Sequence, residues 1–311
     1  MQRRFTRRNG ISAAQQVFGR FAPSRYIIST DSLPRATSMK VGFIGYGNMG
    51  STMVRSFLSS GALAPSQAIV ASRRKEARDE IRGSFPGIEA TDSNKHAARE
   101  SDVLLLSVRS DEVRAVLDEI AGDLRPDAHV ISVNDGVTLK DIGSIFSGKA
   151  TKVMPPITME VGRGVTLVCH NDKVREPDKA AVRSLFGRVS VVKEIPEGRF
   201  EVAGDLTSSA PAYVAAFIEL FAEGACRSGG IGREEAVELA TETLFATAGL
   251  MEAQKLDAAT LVSKVATPGG ITEQGVDVLE AEMPHVIDRL FRETGERHER
   301  AKEAVRRQFD A

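Results

Sequence analysis

Tryptophan is absent from this sequence, and aromatic residues make up only 5% of it. Base-stacking platforms for single-stranded nucleic acid are therefore not expected. The formal net charge is -1, so no overall basic field recruits a nucleic-acid backbone. Only two cysteines are present, Cys169 and Cys226, and neither lies in a CxxC pair or a Cys/His cluster. That excludes a disulfide framework, argues against a structural metal site, and makes a reducing compartment the default. No apolar run approaches the length of a membrane span, so no membrane partner is expected. What remains is a 311-residue chain with 42% hydrophobic and 27% charged residues, proportions of a globular protein with room for two domains.

The balanced charge conceals an uneven start. Residues 1–39 hold seven arginines (Arg3, Arg4, Arg7, Arg8, Arg20, Arg25 and Arg35) and a single acid, Asp31. Phe5, Ile11, Val17, Phe18 and Phe21 are scattered among them. An Arg-rich, acid-poor leader has the composition of a mitochondrial transit peptide. The alternative is a start at Met39. On the second reading the protein is cytoplasmic, on the first it belongs to the mitochondrial matrix, and on both the leader stands outside the fold.

From Lys40 the chain alternates short apolar runs with helical periodicity. Val41–Ile44, Ala68–Ala71, Val103–Val108, His129–Val133 and Thr151–Met154 read as strands. Helices are expected over Met49–Leu58, Arg74–Arg82 and Asp111–Ile120, with Asp111 as a cap for the last. Fully apolar strands between helices indicate βαβ units and a parallel sheet. Beyond about residue 200 only helical patterns follow. Pro211 stands in a first helical turn, Gly229-Gly230 ends that helix, and an Ala- and Thr-rich second helix follows. Pro284 is expected to open a final helix whose charged tail, Arg292–Arg307, is solvated. The fold class is α/β: a Rossmann-type parallel-sheet domain over residues 40–200, then an all-helical dimerisation domain over 201–311. The small residues of its second helix suit close contact between copies.

Gly45-Tyr46-Gly47-Asn48-Met49-Gly50 is a GxGxxG that follows the first strand and opens the first helix. In that setting the first glycine permits a tight turn, the second lets a pyrophosphate approach the backbone, and the third lets helix and strand pack closely. The helix N-terminus adds free N–H groups and partial positive charge. The next strand ends at Ser72-Arg73-Arg74, where an NAD enzyme places an acid for the ribose hydroxyls. A guanidinium there suits a 2′-phosphate instead. The cofactor expected is NADPH, with NADH as the alternative.

The helix from Ser209 to Gly230 carries neither Lys nor His, so it offers no acid for an alkoxide. A protonated imine, which carries its own proton, is the better hydride acceptor here. Thr267-Pro268-Gly269-Gly270-Ile271-Thr272 exposes successive backbone N–H groups suited to a carboxylate, and Thr272 offers a hydroxyl to a ring nitrogen. A plain helix–helix turn with a capping Thr is the competing reading. Thr207-Ser208-Ser209 reads as a cap for the Pro211 helix. His96, His129, His170, His285 and His298 are dispersed, and a surface position is expected for each.

Together these residues resemble the pyrroline-5-carboxylate reductase family, and the similarity spans Lys40 to Phe291. It is carried by Val41–Gly50, Gly136–Leu139, Val153–Pro155, Val161–Gly164, Pro211–Val214, and Pro268–Gly270 with Thr272. The resemblance implies reduction of a small cyclic imine carboxylate, Δ1-pyrroline-5-carboxylate, to L-proline. It implies a homodimer with intertwined C-terminal helices, often built into larger rings. It places Ser72, Arg73 and Arg74 at the adenosine end of the cofactor, and Val108, Arg109, Met154 and Pro155 further along it. Thr267, Gly270 and Ile271 would bind the substrate carboxylate and Thr272 its nitrogen. The sequence departs from the family at Pro156-Ile157-Thr158 and at Thr207–Ala210. Its Pro-x-Ile-Thr stretch and the run from Gly270 to Glu280 look closer to the late-competence paralogues. A related cyclic imine, or nucleotide binding without efficient turnover, are the alternatives.

Overall fold

The computed structural model describes residues 39–309, so the leader lies outside the described residues apart from Met39. An eight-stranded sheet has the order β3-β2-β1-β4-β5-β6-β7-β8. Its strands are β1 (Val41–Ile44), β2 (Ala68–Ala71), β3 (Glu89–Thr91), β4 (Val103–Leu106), β5 (His129–Ser132), β6 (Lys149–Met154), β7 (Val165–His170) and β8 (Val191–Glu194). The first six are mutually parallel. β7 turns back antiparallel to β6, and β8 runs parallel to β7, so the parallel expectation holds for six strands and not for the added edge.

Side-chain alternation explains why β1, β2 and β4 read as unbroken apolar runs. Phe43, Leu105, Ile131 and Val153 feed a core on one face of the sheet. Ile44, Leu104, Leu106 and Val130, one position along, feed the core on the other. Both faces are dry at β1, β2 and β4, and those three strands hold no polar residue, whereas β5, β6 and β7 bury His129, Ser132, Thr151, Lys152 and Thr166 and β8 is largely exposed. The helices that cover them are α1 (Asn48–Ser59), α2 (Lys75–Ser84), α3 (Asn94–Glu100), α4 (Val113–Ile120), α5 (Leu139–Ile145) and α6 (Glu176–Phe186). α1 buries Met53, Val54 and Phe57, and the Phe57 ring meets Phe186 edge-on at 5.1 Å. Truncating Phe57 to Ala would cost about 3–5 kcal/mol.

A short helix α7 (Phe200–Gly204) runs into a π-helical segment, Asp205–Ser209. The chain then forms α8 (Ala210–Ser228), α9 (Arg233–Gln254), α10 (Ala258–Val265) and α11 (Ile271–Phe309). Two compact units result. The first holds the chain to Ser208 and takes it up again from Arg297, and the second holds Ser209–Glu296.

Four expectations need correction. Pro284 does not open a helix but lies within α11, on an exposed stretch where water can take the carbonyl of Glu280. The Arg292–Arg307 tail is not simply solvated, because Val305 is buried in the second core. Asp111 caps nothing: α4 begins after Glu112 without a side-chain cap, while both Asp111 oxygens bind the Arg109 guanidinium. Among Thr207–Ser209 there is no cap either, since Thr207 donates to Ala203 and Ser208 to Pro155. No described helix is long and apolar enough to cross a membrane.

Candidate active site

The C-terminal ends of β2, β1, β4, β5 and β6 lie side by side along one sheet edge, and the strand order reverses at β1. In open α/β sheets this is where ligands bind. The three glycines of the β1–α1 turn differ in what surrounds them. Gly45 has φ +99°, and a Cβ there would meet the Ser107 carbonyl at 2.7 Å. A Cβ on Gly50 would strike the Gly45 carbonyl at 2.3 Å. A Cβ on Gly47 would meet nothing within 4 Å. Turn, open approach and close helix–strand packing are therefore separated as a dinucleotide needs. Gly47 caps α1 without a side-chain hydrogen bond, and the first turn, Asn48-Met49-Gly50, holds no acid. Its amides are thus available to an anion. Tyr46 turns its ring into the core, and burial raises its phenol pKa.

At the end of β2, Ser72 is buried. Arg78 binds the carbonyls of Ser72 and Arg73 and fixes this turn. Arg73 is 83% exposed at its side chain and pairs with Glu112 at 2.7 Å. Arg74 instead donates to the Tyr46 carbonyl at 2.8 Å, bracing the glycine turn from below. After β4, the Val108 carbonyl accepts the Asn134 amide, which ties the ends of β4 and β5 together. Met154 ends β6 with its sulfur against Gly204, where a Cβ would come within 2.3 Å. Pro155 and Pro156 are both buried. All the residues expected at the cofactor, from Gly45 to Pro155, thus fall in the first unit around one sheet edge.

A polar network that the sequence does not announce lies beside that edge. His298 Nδ1 stands 2.8 Å from Asp135 Oδ2, and its Nε2 stands 3.3 Å from Asp205 Oδ1. Burial alone would lower the His298 pKa, but the two carboxylates outweigh it and hold the ring above its ordinary value. Lys152, 3% exposed, donates to the Asp135 carbonyl at 2.6 Å and lies 5.5 Å from the Phe200 ring centroid. Burial lowers its pKa. Lys302 pairs with Glu201. No local pattern pointed to these partners, which are joined across more than ninety positions of sequence in the His298 pairs.

His129 also departs from the expected surface position. It is 3% exposed, and its ring bonds Thr151 Oγ1 at 2.6 Å, which in turn meets His170 Nδ1 at 2.7 Å. The imidazole fits because a strand start next to a threonine offers it one polar partner in an apolar wall. Burial pushes its pKa down to about 4.

In the second unit, the turn before α11 lies exposed. Thr267, Ile271 and Thr272 are exposed, Ile271 by 91%. Gly269 has φ +71°, which the bend requires. The Gly270 amide donates to the Thr267 carbonyl at 2.8 Å, and the Gly269 amide donates to Glu273. A carboxylate is therefore already seated in this turn, from the chain's own helix. Among the described residues no group of three or more His, Cys, Asp or Glu side chains could hold a metal ion.

Comparison with known proteins agrees with this layout. Residues 197–301 match the family model for pyrroline-5-carboxylate reductase dimerisation. Residues 40–136 match the model described as NADP oxidoreductase, coenzyme F420-dependent. The chain is 35% identical to the pyrroline-5-carboxylate reductase of Synechocystis, over 78% of this chain and 90% of that one. It is 28% identical to ComE operon protein 4 of Bacillus subtilis, over 87% of this chain and 99% of that one. A solved pyrroline-5-carboxylate reductase from Coxiella burnetii superposes with a TM-score of 0.76 at 27% identity, covering 86% of this chain and 98% of that chain.

Proposed function

The chain belongs to the pyrroline-5-carboxylate reductase family, and from that premise we propose that it reduces Δ1-pyrroline-5-carboxylate to L-proline with NADPH. The observation that carries the reading is that one chain joins an open dinucleotide turn, Gly45–Gly50, to the amide-rich turn Thr267–Thr272. The open space at Gly47 fits a pyrophosphate, which would rest on the amides of Asn48, Met49 and Gly50. Ser72 and Arg73 would take the 2′-phosphate end, and Val108, Arg109, Met154 and Pro155 the stretch toward the nicotinamide. Arg74 acts one step back, through the Tyr46 carbonyl.

When bound, the cofactor supplies a hydride to the imine carbon. The chain's part is to hold the substrate. The turn of Thr267, Gly270 and Ile271 takes the carboxylate, for which the Gly270 amide must release the Thr267 carbonyl it holds in the empty turn. The protonated ring nitrogen donates to the Thr272 hydroxyl oxygen, stays bonded to it as the C=N electron pair collapses onto nitrogen, and becomes the amine of proline. No side-chain acid is needed for that step, because the proton arrives with the substrate.

A dimer belongs to the same reading. The second unit buries few side chains fully, chiefly Ala222, Ala236 and Ala240. Leu220, Phe221, Phe245, Val278 and Val286 are each more than half exposed. A second copy covering these side chains would remove an apolar surface that a monomer leaves in water.

The test is turnover of NADPH by the purified protein with a panel of five- and six-membered cyclic imines, with and without a carboxylate. Fastest turnover of pyrroline-5-carboxylate supports the reading. A faster six-membered imine reassigns the substrate. NADPH binding without turnover of any imine replaces the enzyme with a nucleotide-binding paralogue.

A further inference from the structure

β1 lies between β2 and β4, and all three run parallel. Their C-terminal ends therefore open on the same edge, with the glycine turn of β1 in the middle. Any bond from the turn after β2 to the loop after β4 must pass over the end of β1. One such bond exists between side chains. Arg73 Nη2, two residues past β2, lies 2.7 Å from Glu112 Oε1, at the entry to α4. The other arginines of this edge have their own partners: Arg74 holds the Tyr46 carbonyl, and Arg109 is bound by both oxygens of Asp111. Arg73 is thus the guanidinium held across the dinucleotide turn, and a carboxylate holds it.

We propose that Glu112 is a specificity-determining residue of the cofactor site: its carboxylate clasps Arg73 over the end of β1 and competes for it with the cofactor 2′-phosphate. This rests on the proposed reading of the edge as an NADPH site. Carboxylate and phosphate engage the same planar fork of donors. Glu112 holds Arg73 through Nη2, so a phosphate that takes the full fork of donors must displace the carboxylate there. NADH carries a hydroxyl at the 2′ position and makes no such demand. An ion pair this exposed is worth roughly 1.5- to 5-fold in an equilibrium, so a dianionic phosphate overcomes it but loses that factor in doing so. The released Glu112 carboxylate also stays near the phosphate as a like charge. Glu112 therefore lowers the preference for NADPH over NADH while making no bond to either. A surface tie that merely joined two loops would leave that preference unmoved.

The test measures dissociation constants for NADPH and NADH on the whole protein, by fluorescence of the reduced nicotinamide. Wild type, Glu112→Gln, Arg73→Ala and the double variant are compared at low and high salt. Gln keeps an oxygen for the weak contact that the Arg109 amide makes with Glu112. Glu112→Gln is expected to tighten NADPH by about two- to fivefold and leave NADH unchanged. The gain should vanish in the Arg73→Ala background and shrink at high salt, where the wild-type pair is already screened. Unchanged or weaker NADPH binding by Glu112→Gln overturns the proposal. So does a gain that persists without Arg73. If wild type binds neither cofactor, the nucleotide reading itself falls and takes this inference with it. That outcome is distinct from a wild type that binds NADPH while Glu112→Gln changes nothing.

Discussion

Glu273 places a carboxylate oxygen 2.7 Å from the Gly269 amide nitrogen, inside the turn assigned to the substrate carboxylate. The two carboxylates would sit in one turn, on neighbouring donors, and repel each other. Glu273→Ala is therefore expected to lower KM for an imine carboxylate several-fold, with KM for a carboxylate-free imine unchanged. It should also cost about 0.3–1 kcal/mol of helix stability, because an acid in the first turn of α11 is lost. Steady-state kinetics and a melting curve on one preparation read both effects.

Thr272→Ala removes the hydroxyl assigned to the ring nitrogen. Losing one hydrogen bond of this kind is worth roughly 1–3 kcal/mol, so turnover should fall about 5- to 150-fold while NADPH affinity holds. An unchanged rate on the best imine would remove Thr272 from the site.

Arg73→Ala should weaken NADPH by roughly ten- to hundredfold and leave NADH nearly untouched, since a charge-assisted contact is worth about 1.5–3 kcal/mol. Equal loss of both cofactors would show that Arg73 shapes the turn and does not select the phosphate.

Two histidines give stability opposite pH dependences. His129 has its folded pKa lowered to about 4 from the ordinary 6.5, so the unfolded chain binds its proton first. Its penalty is absent above pH 6.5, grows as pH falls, and is complete below about 4, on the order of 3 kcal/mol. His298 has its folded pKa raised, so its pairing with Asp135 and Asp205 contributes fully below pH 6.5 and is lost as pH rises through the folded value. Urea unfolding from pH 4 to 9 should show both. His129→Gln should flatten the acid limb, and His298→Gln should lower stability near pH 6 more than at pH 9.

Phe221→Asp puts a charge into the exposed apolar face of α8, where Phe217 and Phe221 stack at 5.7 Å. Burying that charge between copies is unfavourable, so light scattering at micromolar concentration should show the wild type as dimer and the variant as monomer. A wild type that is monomeric overturns the pairing.

How much of this could be read from the sequence follows from the range of each interaction. β1 and β4 were legible because four consecutive buried positions need four consecutive residues without a polar side chain. The glycine turn was legible because its three constraints fall within six positions. β3, with only Glu89, Ala90 and Thr91, carries no periodicity to detect. The reversal at β7 depends on pairing Val153 with Val168 across a turn, and nothing in Val165–His170 states a direction. Asp135, Asp205 and Glu112 were invisible as partners because each pairs with a residue dozens of positions away. The charged tail after Arg292 misled for the same reason. Its charges read as solvated until their opposites, Asp135, Asp205 and Glu201, are brought beside them.

The return of the last helix to the first unit fixes an order of events in the making of the protein. Val305 fills part of the core beneath β4 and β5, close to Gly136, and the Gln308 carbonyl accepts a bond from Arg114. These residues leave the ribosome after the whole of residues 209–296. Domains usually close as they are synthesised, amino-terminal one first. Here the last residues of the earlier-made unit are synthesised only after the later one. A nascent chain halted at residue 296 has all eight strands in hand but leaves one face of the sheet short of cover. The helical unit is thus an insertion within a nucleotide domain whose cover is supplied by the final three turns to be synthesised.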